Sequence, residues 1–147
     1  MGYVKLRNPK PGVTLVPPDG VHVSCRQLKF KARKGGGERQ AHRFAVIRIG
    51  ATVARKAGLA GDKHRVNVLL GEGLERHRCG IALDDKGGEF AVRRRASGDF
   101  QLTITERAAA GTLRLDVPAF TAKGDLVPIT EGRPPCIMFD LSKAWRE

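Results

Sequence analysis

Eighteen glycines and eight prolines spread through 147 residues leave this chain almost no room for a long helix. Glycine inside a helix costs about 1 kcal/mol and proline about 3, so punctuation this dense favours short strands joined by turns over a helical bundle. Between the punctuation marks the apolar residues alternate. Val21, Val23 and Cys25 share one parity, as do Ala45, Ile47 and Ile49, then Val66, Val68 and Leu70, then Phe100, Leu102 and Ile104. A period of two lines such residues along one face of a strand. With 41% hydrophobic residues the chain can build a core, and its length is typical of one domain. No apolar run approaches the roughly 20 residues that cross a bilayer as a helix. Residues 1–5 also lack the apolar stretch of a signal peptide. No membrane partner is expected, and the expected location is the cytoplasm.

Residues 1–20 read as an extended arm, because Pro9, Pro11, Pro17 and Pro18 stand among Gly12 and Gly20. Residues 21–147 read as one mostly-β domain, a small barrel or sandwich. After Cys25 the apolar parity changes to Leu28, Phe30 and Ala32, which predicts either a bulge near Arg26-Gln27 in one long strand or two strand pieces. Gly35 to Gly37 read as a hairpin tip before a strand over 44–49. A phosphate-cradling loop would need a following Lys-Ser/Thr and a helix, which Glu38-Arg39-Gln40 do not supply. Downstream, Asp84-Asp85-Lys86-Gly87-Gly88 read as a hairpin turn joining His77–Leu83 to Phe90 and Val92. Leu113, Leu115 and Val117 predict a further strand ended by Pro118, and Cys136 to Leu141 the last one. Ser142 is placed to cap a final turn that holds Trp145.

The most distinctive local unit is Phe44 to Leu70. A strand ends at Ile49-Gly50, and one short helix of about 51–57 carries Val53, Ala54 and Ala57 on one face. Gly58 is a natural left-handed stop, Gly61-Asp62 make a turn, and Val66 and Val68 open a new strand. On Arg48, Ile49, Gly50, Val53, Ala54, Ala57, Gly58, Leu59, Gly61, Asp62, Val66 and Val68, this unit resembles the repeat of swapped-hairpin transcription factors of the AbrB and MraZ type. Gly50 stands where that group often has proline. The whole chain also resembles small bacteriophage-encoded proteins that share the short-helix unit and an ending like Met138 to Trp145. The first resemblance implies a DNA-binding transcription regulator, and the second implies only a bacteriophage or bacterial-host setting; a homodimer is one possible assembly.

Charge points the same way. The net charge is +12, and residues 26–56 hold ten bases against Glu38 alone. A basic excess concentrated in one segment is the electrostatic footprint of a nucleic-acid binder. The candidate contacts are Arg26, Lys29, Lys31, Arg33, Lys34, Arg39, Arg43, Arg48, Arg55 and Lys56, joined by Arg93, Arg94 and Arg95. Aromatic residues are only 5%, so phosphate contact to duplex DNA is favoured over base stacking on a single strand. RNA remains open as a ligand. A phage factor docking on host transcription machinery, or a virion component, is the competing class.

Other chemistry has little support. Cys25, Cys79 and Cys136 form no closely spaced ligand pair, so neither a metal nor another cofactor is expected. Asp84-Asp85 carry the residue type of a Mg²⁺ site but the spacing of a turn. No recognised nucleophile or zinc-protease pattern is present, so a non-enzymatic role is expected.

Overall fold

The computed structural model describes residues 2–3, 16–28, 42–109 and 111–145. Lys29, Lys31, Arg33, Lys34 and Arg39, the glycine tip and most of the proline-rich arm lie outside these residues. Among the described residues nine strands follow one another: β1 (Gly20–Leu28), β2 (His42–Ile49), β3 (Lys63–Leu70), β4 (Arg78–Leu83), β5 (Phe90–Arg94), β6 (Phe100–Thr105), β7 (Phe120–Lys123), β8 (Asp125–Val127) and β9 (Cys136–Asp140). Two short helices join them, α1 (Ala51–Lys56) and α2 (Glu106–Ala109); the second has no counterpart in the sequence reading.

All nine strands belong to one sheet, in the order β7-β1-β2-β6-β5-β3-β4-β9-β8. Its two edge strands are consecutive in the chain and separated by Gly124 alone. The sheet therefore curls until its edges meet, giving a nearly closed barrel, the closed form of the expected mostly-β fold. The alternating residues fill its interior. Val21, Val23, Ile47, Ile49, Val66, Ile81, Val92, Leu102, Ile137 and Phe139 are all buried in one cluster.

The α1 helix packs on this core through Val53, Ala54 and Ala57. Its N-terminal amides bond backward, from Thr52 and Val53 to the Pro18 carbonyl, both at 3.0 Å. The Gly50 amide donates to the Gly20 carbonyl at 2.8 Å. The last residues of the proline-rich arm are thus built into the barrel. At the other end of α1, Gly58 adopts φ +92°. Its amide bonds the Arg55 carbonyl and the Leu59 amide bonds the Ala54 carbonyl, the two bonds of a Schellman stop.

Four expectations change. First, β1 and β2 pair without interruption from Val21↔Ile49 to Leu28↔His42, so neither a bulge nor a break occurs at Arg26-Gln27. The apolar parity changes while the backbone register does not. Second, Asp84–Gly88 do not close a hairpin, because β3 lies between β4 and β5. The segment crosses the outer side of β3. There Arg65 Nε donates to the Gly88 carbonyl at 2.8 Å and Asn67 Nδ2 to Asp84 Oδ2 at 3.2 Å. Third, Leu113 and Leu115 are buried without forming a strand; Leu113 makes one isolated bridge to Trp145. The strands in this region are β7 and β8. Fourth, the closing turn Ser142–Ala144 is capped by Asp140, whose Oδ1 accepts the Ser142 amide at 2.8 Å.

Candidate nucleic-acid interface

Strand parity decides which basic residues meet. In β1 the odd residues Val21 and Val23 point inward, so His22, Ser24 and Arg26 point outward. In β2 the outward set is Phe44, Val46 and Arg48, and in β6 it is Gln101, Thr103 and Thr105. The register then lines up one row across the outer surface: Thr121 opposite His22, His22 opposite Arg48, Arg48 opposite Gln101, Gln101 opposite Arg93, and Arg93 opposite Lys63. Neighbouring strands lie about 4.8 Å apart, so these six residues span roughly 24 Å. Arg26 lies farther along β1 on the same face and is exposed.

The row is not uniformly solvated. Arg93 and Lys63 are exposed, whereas Arg48 retains only 8% of its surface and its Nε has no hydrogen-bond partner. Burial, with the positive charges of Arg95 and Arg26 nearby, holds the Arg48 guanidinium below its ordinary value. Beside it Asp99, 7% exposed, binds Arg95 Nη1 at 3.2 Å and accepts the Ser97 hydroxyl. His22 is 7% exposed and shares a 2.9 Å hydrogen bond with Thr121 Oγ1. Its burial, then Arg48 and Arg26, lower its pKa from 6.5. A cavity of about 540 Å³ opens between the diverging ends of β5 and β6, lined by Phe90, Arg93, Arg95, Gln101, Leu102 and Thr103 among others.

The sequence candidates therefore separate. Arg26, Arg48 and Arg93 share the outer face, and Arg95 adjoins it through Asp99. Arg43 instead lines a different cavity, with Glu106, Asp116, Leu113 and Leu115. Arg94 has the inward parity of Val92 at a strand end and pairs weakly with Asp62, at 3.9 Å. Arg55 and Lys56 are exposed in the last turn of α1, where cations oppose the carbonyl end of a helix. Lys63, Gln101 and His22 are the residues that sequence reading missed. Lys63 was legible, since it sits at odd parity to Val66; its opposition to Arg93 was not.

The other chemically suggestive groups have local structural partners. His64 Nδ1 faces Asp85 at 3.1 Å, a geometry used to orient a base, but its Nε2 accepts the Gly61 amide at 2.8 Å. The nitrogen that would take a proton is occupied. Asp85 also accepts the Arg65 amide at 2.9 Å, which with His64 draws its pKa down. Asp84 accepts the Gly87 amide at 3.0 Å. Burial pushes the Cys79 thiol up to about 12 and the Cys136 thiol up to about 11, far from thiolate chemistry. Among the described residues no cluster of three His, Cys, Asp or Glu could hold a metal ion, and no helix is long and apolar enough to cross a membrane. No family model, curated protein or solved structure matches this chain.

Proposed function

We propose that this chain is a non-enzymatic DNA-binding protein, a transcription regulator of bacterial or bacteriophage type, that grips the phosphate backbone of duplex DNA. The observation that carries the reading is the outward row of Arg48, Arg93 and Lys63, with Arg26 on the same face. Cations spaced strand by strand suit a polyanion better than a small acidic ligand, because each neutralised phosphate releases a counterion. The β1–β2 ribbon leads from this face toward Lys29, Lys31, Arg33 and Lys34, so the basic segment and the basic face are continuous in the chain. The likeness of residues 44–70 to the swapped-hairpin repeat supports the same class.

A gel-shift assay against duplex DNA, single-stranded DNA and RNA at two salt concentrations tests this. The duplex is expected to bind best. The combined change of Lys29, Lys31, Arg33 and Lys34 to Ala is expected to weaken binding by several kcal/mol. Unchanged affinity in that variant would remove the ribbon from the interface.

A second reading, docking on another protein, has its own observation. Leu69, Val127 and Ile129 are 41%, 36% and 56% exposed, and the first two face outward from the β3 and β8 side of the barrel. Salt-tolerant capture of a host transcription complex would favour it.

A further inference from the structure

We propose that Arg48, Arg93 and Arg95 form the seat for one phosphate group of a nucleic-acid backbone, on the outer face where β2, β6 and β5 adjoin. The proposal rests on the nucleic-acid reading above and assigns that surface its anchoring point.

Charge in this cluster does not balance. Asp99 is its buried anion, and its carboxylate is engaged by Arg95 Nη1 and by the Ser97 hydroxyl, while its carbonyl accepts the Arg95 amide at 2.7 Å. Arg48 is 8% exposed, and its Nε has no hydrogen-bond partner. The Ser24 hydroxyl, diagonal to Arg48 across the β1–β2 pair, is likewise buried without one. Arg95 and the Ser97 hydroxyl therefore occupy the carboxylate, and the Arg48 Nε and the Ser24 hydroxyl are left over. Buried polar groups in folded proteins are nearly always paired, so an orphaned guanidinium nitrogen marks a place for an acceptor.

The acceptor must be anionic and offer several oxygens, which is the geometry a guanidinium fork matches best. Access is at hand. Gln101 lies opposite Arg48 on one side and opposite Arg93 on the other, and with Arg93 and Arg95 it lines the cavity of about 540 Å³. A backbone phosphate fits better than an isolated anion because the cations continue past the seat, to Lys63 beyond Arg93 and to Arg26 along β1.

Thermal unfolding in potassium phosphate against potassium chloride at matched ionic strength tests the seat directly. Phosphate at tenfold its Kd is expected to raise the Tm by roughly 3–6 °C for a domain of this size. Arg48→Met keeps side-chain length and removes the orphaned charge, so it is expected to hold or raise the Tm in chloride while losing the phosphate response. Phosphate's general salting effect is common to both proteins and cancels in the comparison. Should Arg48→Met not fold, Arg93→Gln at an exposed position is expected to reduce the response on its own. An equal phosphate response in wild type and variants overturns the seat.

Duplex binding by fluorescence anisotropy supplies the source of the phosphate. Each variant is expected to lose about tenfold in affinity and about 0.9 in the log–log salt slope. A phosphate response without duplex binding overturns the nucleic-acid source together with the reading it rests on. Duplex binding unchanged in the variants overturns the seat alone.

Discussion

Two single residues show how far a side chain's role depends on what crosses it in space. Gly58 was legible as a left-handed stop, because a short apolar helix followed by Gly-Leu leaves little else for it to do. Its φ of +92° bears that out. The sequence could not show that an added Cβ would also lie 2.9 Å from Leu83 Cδ2 and 2.9 Å from Pro134 Cγ. Asn, which tolerates positive φ, therefore gains no advantage here. Gly58→Ala and Gly58→Asn are both expected to destabilise by about 2 kcal/mol or more in urea denaturation, the left-handed penalty plus displaced neighbours. Gly50 is the converse case. Its φ of −58° suits a proline, but a Cβ would come within 2.1 Å of the Pro17 carbonyl oxygen. That close approach explains why glycine stands where the resembling repeats often have proline.

His22 gives the residue scale a pH dependence. Its pKa is lowered by burial first, then by Arg48 and Arg26, so the unfolded chain takes up a proton more readily than the folded one. Stability is then full above the unfolded value of 6.5 and declines as pH falls below it. His22→Gln is expected to flatten this acid-side decline, measured as the Tm difference between wild type and variant from pH 7.5 to 5. Parallel curves would show that His22 carries no linked proton.

Elements were legible where local pattern sufficed and were misread where a distant partner decides. The alternations of β1, β2, β3, β4 and β6 place the core, except that Leu70 at the end of β3 is exposed, because period two follows directly from burial of one face. The sequence Asp84-Asp85-Lys86-Gly87-Gly88 has turn chemistry that fits both a hairpin and a crossover. What separates the two is whether β3 lies between β4 and β5, which no local signal encodes. The crossing also explains Gly88: a Cβ there would lie 2.6 Å from the Val66 amide nitrogen and 2.7 Å from the Arg65 carbonyl carbon. Gly88→Ala is expected to cost about 3 kcal/mol, at the upper end of overpacking penalties. A simple hairpin tip at this position would tolerate the change within about 0.5 kcal/mol, so one denaturation curve separates the two topologies. Val66, fully buried beneath the same crossing, is expected not to tolerate aspartate at all; a folded Val66→Asp would contradict its core position.

At the scale of the whole molecule, barrel closure sorts the surface into unlike sides. The strands β1, β2, β5 and β3 carry the outward cations of the row, while β4, β9 and β8 turn Ala82, Met138 and Val127 outward, and the one cation of β4, Arg78, pairs with Glu75 and Asp125. The basic excess over residues 26–56 was visible in composition, but it does not coincide with the basic face. Arg43, Arg55 and Lys56 leave that face, and Arg93 and Lys63 join it from later in the chain. Only strand order could reveal this, since Arg48 and Arg93 are 45 positions apart and become neighbours through Gln101.

The central claim is that this face holds duplex DNA by its phosphates. A salt titration of labelled-duplex anisotropy from 50 to 200 mM potassium chloride tests it most directly. With one phosphate in the seat of Arg48, Arg93 and Arg95 and one each at Arg26, Lys63, Lys29, Lys31, Arg33 and Lys34, the log–log slope is expected to be about −6.3, so affinity falls several thousandfold across that range. Changing Arg26, Lys63 and Arg93 together to Gln is expected to bring the slope to about −3.6 while the Tm is unchanged. Binding that is absent at 50 mM, or that persists with the same slope in the triple variant, would contradict the account.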